Sequence, residues 1–133
     1  MRYLLDTNTC IRYMNGRSPK LRVKFLEIPA VEIAVCTPVK AELFYGAAKS
    51  MTPERSLAKQ QEFLNRFESF PFNDKAASVY GPLRARLEKL GTPIGPLDML
   101  IAAIAIANNL ILVTHNTSEF SRIHTLKIED WEI

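Results

Sequence analysis

The sequence predicts an α/β fold, a sandwich in which helices cover both faces of a central parallel sheet of about four to five strands. Three observations lead there. Short, wholly apolar runs recur along the chain, as in strands covered on both faces. Between them lie segments with helical spacing and recognisable starts. The chain has 133 residues, 47% of them apolar and 23% charged, which suits one globular domain spanning residues 1–133 that buries its own core.

The strand segments, in order, are Tyr3-Leu4-Leu5, Ile33-Ala34-Val35, Phe70-Pro71-Phe72, Leu110-Ile111-Leu112-Val113 and Leu126-Lys127-Ile128. Helices alternate with them. One begins around Thr9. Thr37-Pro38 and Thr52-Pro53 each place a capping hydroxyl before a proline at the first helical position. Asn73-Asp74 opens another helix, whose apolar residues Ala76, Val79, Tyr80, Leu83, Leu87 and Leu90 keep helical spacing until Gly91 stops it. Pro82 lacks a backbone donor, so a kink is expected there. Gly95-Pro96 starts the apolar helix 97–108. Helices of this length between strands imply parallel pairing, and in such sheets ligands bind beyond the carboxyl ends of the strands.

Composition excludes several classes. Seventeen Lys and Arg against 14 Asp and Glu give a net charge of +3, which suits an anionic partner without demonstrating one. Cys10 and Cys36 cannot build a disulfide framework and read as reduced core residues of a cytoplasmic protein. No signal-peptide pattern precedes Asp6. The most apolar stretch, Leu97 to Ala107, contains Asp98 and falls far short of the ~20 residues that span a bilayer. A buried helix is expected there, and no membrane association.

Three acids follow three strand ends. Asp6 comes directly after the first strand and is followed by Thr7-Asn8; capping the next helix and chemistry are both open to it. Glu42 lies one turn into the helix after the second strand, at the margin of its buried face. Alone, it reads as an acid favoured by the helix dipole. Asp98 sits in the first turn of a helix that is otherwise Leu, Met, Ile and Ala, where an ionised carboxylate is costly unless compensated. A helix terminus, an arginine or a bound cation could compensate it. Together, three acids at one sheet edge repel each other unless a cation binds. An all-oxygen donor set without Cys or His selects Mg²⁺, with Mn²⁺ possible, and such ions activate water for phosphate chemistry.

The segment Val113 to Phe120 arrives at the same edge, where Thr114, Asn116, Thr117 and Ser118 suit either waters and phosphate oxygens or a plain capping loop. Glu119 reads as a fourth acid or, preferably, a solvent-facing helix residue. His115 reads as an exposed loop histidine, and His124 has no evident role. Arg12, Arg17, Lys20, Arg22 and Lys24 near the first acid, and Arg84, Arg86 and Lys89 further on, suit phosphate binding, although solvated helix faces account for most such charges.

In sequence order these pieces resemble the PIN-domain ribonucleases and, within them, the VapC toxins of bacterial toxin–antitoxin pairs. The resemblance runs through Leu5-Asp6-Thr7-Asn8, Ala41-Glu42-Leu43-Phe44-Tyr45-Gly46, Arg84-Ala85-Arg86-Leu87-Glu88, and Gly91 to Ala102. It continues in Leu112 to Phe120 and closes with Glu129-Asp130-Trp131. It implies a PIN-like sandwich in which Asp6, Glu42 and Asp98 form the acidic metal-binding core. Thr7 and Thr114 would be supporting hydroxyls. Many members carry a further Asp in the loop where this chain has Asn116, which puts a stable second metal site in doubt. The branch it is most similar to cuts initiator tRNA in the anticodon stem-loop. The resemblance therefore implies an endoribonuclease toxin that inhibits translation, pairs with a small VapB-type antitoxin and forms a homodimer. The apolar residues of the helix from Pro53 and those near Phe25-Leu26 could serve these interfaces.

Two other functions compete. A haloacid dehalogenase-type phosphatase also starts from an Asp after the first strand, but it needs a second acid two residues on, where this chain has Asn8. A PIN-like module that grips RNA or protein without cutting would have no use for uncompensated acids in a cleft.

Overall fold

Strands apolar on both faces need cover on both sides, and the chain supplies it by returning through a helix after each strand. The computed structural model describes residues 2–133. The elements run β1 (Tyr3–Leu5), α1 (Thr7–Met14), α2 (Pro19–Glu27), β2 (Ile33–Cys36), α3 (Thr37–Ala48), α4 (Pro53–Leu64) and β3 (Glu68–Phe70). They continue with α5 (Asp74–Lys89), α6 (Pro96–Ala107), β4 (Ile111–Val113), α7 (Thr117–Phe120) and β5 (Ile128–Glu129), and a 3₁₀ turn at Ala30–Glu32 precedes β2.

The five strands form one sheet in the order β3-β2-β1-β4-β5, and every pairing is parallel. The chain builds outward from β1 through β2 to β3, then crosses to the other side of β1 to place β4. That reversal opens a crevice between β1 and β4 at their carboxyl ends, where Leu5 pairs with Val113.

Leu4, Leu5 and all four residues of β2 are buried. The apolar helix α6 is buried as expected, with Met99 and Ile101 to Ala105 all withdrawn from solvent. Leu83 and Leu87 on α5 join the same core. Both cysteines are free and buried. An aromatic cluster ties the remaining helices to the C-terminal segment. Tyr13 stacks on Phe25 with centroids 4.0 Å apart, and Trp131 meets Phe25 and Tyr3 edge-on at 5.7 and 5.1 Å. Trp131 thereby anchors the segment after β5 against α2 and β1. Among the described residues, no helix is long and apolar enough to cross a membrane.

Several local expectations shift. The third strand is Glu68–Phe70 rather than Phe70–Phe72, because Pro71 has no amide to donate to the ladder and the pairing with β2 ends at Phe70. The last strand is Ile128–Glu129; Leu126 is buried but lies before the strand. The first helix begins at Thr7, not Thr9, with Asp6 as its cap. Asn73 caps α5 as expected, accepting from the Ala76 amide at 3.1 Å. The two threonines do not cap. Cys36 takes the cap position of α3, so Thr37 is helical and its hydroxyl accepts from the Phe72 amide at 3.3 Å. Thr52 occupies the cap position of α4, but its hydroxyl faces Ser56 at 3.2 Å. Helix α5 runs unbroken through Pro82 and stops where Gly91 takes a φ of 73°.

Candidate active site

Asp6 is the residue that β1 delivers into the crevice. It caps the next helix, the first of the two roles its sequence context leaves open. One carboxylate oxygen accepts from the Thr9 amide at 2.8 Å and caps α1. Thr114, the residue that β4 delivers from the opposite side, sets its hydroxyl beside the same carboxyl and favours its charged form. Thr114 is almost fully buried and accepts in turn from the Asn116 amide at 3.0 Å. Burial raises the Asp6 pKa, and these hydrogen bonds only partly oppose it.

Helix α3 brings Glu42 to the same edge, where the Thr7 hydroxyl approaches it at 3.5 Å, a long contact. Helix α6 brings Asp98 in its first turn. Glu119 on α7 completes the group. Its carboxylate accepts from the Gly95 amide at 2.9 Å and from the Asn116 side-chain amide at 3.0 Å. A side chain on Gly95 would begin 3.9 Å from both Asp98 Oδ2 and Glu119 Oε1, so the two carboxyls crowd one spot.

The electrostatics follow from that crowding. Asp98 is pushed up to about 6, first by burial and then by the charges of Glu119, Asp6 and Glu42. Glu119 moves the other way because the Gly95 amide and Asn116 donate to it. Of the two, Asp98 is therefore the carboxyl that takes up a proton first as pH falls. Glu119 is therefore a fourth acid of the site, not the solvent-facing residue that its position in a short helix suggests. Among the described residues, no Lys, Arg or His forms an ion pair with Asp6, Glu42, Asp98 or Glu119. An all-oxygen acidic group whose only cationic influence is that of Arg122 on Glu119 fits a hard divalent ion, which would supply further positive charge.

A second group lies beside the first. His115 Nδ1 donates to Asp130 Oδ2 at 2.8 Å, and Arg12 Nε donates to Glu132. His115, Asp130 and Glu132 have ligand atoms within 4.8 Å of one another, closer than the four acids in the crevice come. His115 is engaged with Asp130 and Arg12 with Glu132, so this group is an ion-paired cluster in which Glu132 Oε2 keeps no partner. The sequence reading missed Asp130 and Glu132. They follow the last strand, and only the docking of Trp131 shows that they return to the first helix.

The basic residues divide. Arg12 stands at the edge of the crevice. Arg17 and Lys20 lie beyond the far end of α1, roughly 12 Å along its axis from Asp6, and are exposed. Arg22 lines a separate cavity with Tyr13, Lys59 and Arg66. Arg84 pairs with Glu88 at 3.0 Å along the exposed face of α5 and lies over Tyr80. Arg86 sits by Ile106 and Thr125, about two turns of α6 from Asp98. The structure thus groups Arg12 with the acids and places Arg17, Lys20, Arg84 and Arg86 away from them.

Comparison with known proteins agrees with this geometry. Residues 3–126 match the PIN domain family. The tRNA(fMet)-specific endonuclease VapC of Salmonella typhimurium is 39% identical, with 98% of each chain covered. Ribonuclease VapC2 of Rickettsia felis is 43% identical over 99% of each. Among solved structures, the DNA-bound VapBC of Salmonella typhimurium superposes with a TM-score of 0.93 over 98% of both chains, at 39% identity. VapBC2 of Rickettsia felis, bound to a fragment of promoter DNA, does so at 0.91 and 42% identity, over 98% of this chain and 99% of that one. A parallel sheet whose switch point gathers acids from β1, α3 and α6, matched over nearly the whole chain, places this protein in the PIN-domain family, among the VapC proteins.

Proposed function

We propose that the protein is a metal-dependent endoribonuclease, the toxin of a VapBC-type pair, which hydrolyses a phosphodiester in tRNA and is neutralised by a VapB-type antitoxin. The observation that carries this reading is the gathering of Asp6, Glu42, Asp98 and Glu119 at the β1/β4 crevice without an ion-pair partner among the described residues. The relatives named as ribonucleases, one of them specific for tRNA(fMet), supply the substrate class. Inhibition of translation would follow from loss of that tRNA.

Asp6, Asp98 and Glu42 would hold Mg²⁺ or Mn²⁺. Such an ion, when bound, lowers the pKa of water and stabilises charge on a phosphate oxygen. The protein's own groups prepare that position. The Thr9 amide holds the Asp6 carboxylate, and the Thr114 hydroxyl beside it favours the charged form. Thr7 steadies Glu42 from the first turn of α1. Glu119 is held off by the Gly95 amide and by Asn116, which keeps its charge beside Asp98 without closing the crevice. Asp98 must shed its proton to act as a ligand, so protons and the metal compete for that carboxylate.

The test is cleavage of a total tRNA pool by antitoxin-free protein, with Mg²⁺, with EDTA, and by Asp6→Asn. Discrete tRNA fragments that require Mg²⁺ and vanish in the variant are the expected result. An absence of cleavage would favour the binding-module reading, and cleavage that survives Asp6→Asn would remove the proposed site.

A further inference from the structure

Hydrolysis by activated water makes no use of a 2′-hydroxyl, so the acid cluster cannot by itself tell RNA from DNA. An RNA-selective enzyme of this kind reads the shape of the RNA or its 2′-hydroxyl elsewhere, and a hydrogen-bond acceptor beside the scissile phosphate is one means of doing so. Beside the acids lies an open cavity of about 510 Å³ lined by Asn8, Arg12, His115 and Asn116. That volume suits one nucleotide. It adjoins the crevice through its own lining: Asn8 is two residues from Asp6, and Asn116 bonds to both Thr114 and Glu119.

Two of the lining groups are exposed but fixed from beneath. The His115 and Arg12 side chains are 59% and 45% exposed, whereas their partners Asp130 and Glu132 are 8% and 6% exposed. Asp130 uses both oxygens as acceptors, Oδ1 from the Glu132 amide at 2.9 Å and Oδ2 from His115 Nδ1 at 2.8 Å. A carboxylate that only accepts requires the proton of a neutral imidazole to lie on Nδ1, which leaves the lone pair on Nε2. Arg12 spends Nε on Glu132. Among the described residues its Nη groups make no hydrogen bond, so four N–H donors remain for a phosphate.

Resting on the ribonuclease reading above, we propose that this cavity is a ribonucleotide subsite next to the scissile phosphate. Arg12 binds the backbone phosphate there, and His115 Nε2 accepts the hydrogen bond of the ribose 2′-hydroxyl. Asp130 is a positioning residue that sets the tautomer and orientation of His115.

The experiment measures kcat/KM on a synthetic RNA hairpin containing the mapped cleavage site. Single 2′-fluoro nucleotides are introduced in turn at the positions flanking it. Fluorine removes the donor while keeping a ribose-like pucker. Wild-type enzyme is expected to lose about fivefold at one position. In His115→Phe the loss at that position is expected to fall below half the wild-type ratio. His115→Ala gives the same comparison if the phenyl ring perturbs folding; the exposure of His115 makes both changes tolerable. An undiminished ratio in the variants, or a wild type insensitive at every position, overturns the subsite. Failure of the ribonuclease reading looks different: wild type would not cut the all-ribose hairpin at all.

Discussion

Replacing Asp98 with asparagine is expected to stabilise the metal-free protein at neutral pH and to do little at acid pH. Asp98 is raised from 3.8 to about 6 because burial and three neighbouring carboxylates disfavour its charge. A group raised in the folded state favours folding fully below its unfolded value, and that contribution is lost as pH climbs through the folded one. The window is therefore pH 3.8 to about 6. The difference between the two values corresponds to roughly 3 kcal/mol. The side chain is only half-buried, so solvent screening cuts this by about half, to ~1.5 kcal/mol. For a chain of 133 residues, that is roughly 5 °C in melting temperature. The assay is a set of thermal melts in EDTA between pH 4 and pH 7.5 for wild type and Asp98→Asn. Taking the difference between the two proteins cancels other titrating groups. Its growth with pH isolates the Asp98 charge. Added Mg²⁺ is expected to raise the melting temperature of wild type at pH 7.5 and to leave the variant nearly unchanged. A difference that does not vary with pH, or one that moves in favour of wild type as pH rises in EDTA, would refute the reasoning.

Two further expectations concern the surroundings of that carboxyl and the core beneath it. Glu119→Gln removes the largest Coulombic contributor to the raised Asp98 pKa, so the Asp98 midpoint is expected to drop below about 6. Carboxyl-carbon NMR titration measures it directly, and an unmoved midpoint would show that the Glu119 charge does not act on Asp98. Leu87→Ala deletes a side chain that is 2% exposed in the core beneath α5. It is expected to cost about 2–5 kcal/mol by urea unfolding, and a loss under ~1 kcal/mol would mean that the core beneath α5 closes over the cavity.

Asp6 and Asp98 were legible because each breaks an apolar run. An acid directly after Leu4-Leu5, or inside Leu97 to Ala107, stands out against burial, whose cost is the same in any fold. Glu42 was legible only as one of a set, since a lone acid in a helix has a cheaper account. Glu119 stayed open between two readings because a four-residue helix says nothing about which side it shows. Its role depends on Gly95 and Asn116 being within hydrogen-bond reach. Thr37 and Thr52 show the same limit on a smaller scale. Each carries a capping hydroxyl next to a proline, and each spends it elsewhere because a partner from another part of the fold lies closer.

Local patterning alone therefore determined the alternation of strand and helix, the parallel sheet and the edge at which chemistry collects. Apolar periodicity, caps and prolines act within a few residues and need no knowledge of what lies across the fold. Tertiary structure decided the strand order, and with it the crevice between β1 and β4. It also decided which cations face the acids and the pairing of His115 with Asp130 and of Arg12 with Glu132. Those pairings join residues 15 and 120 positions apart. They exist because Trp131 packs against Phe25 and Tyr3 and carries its neighbours to the first helix. Long-range packing of that kind leaves no periodicity in the sequence, because the groups it joins are set by where surfaces meet and not by spacing along the chain.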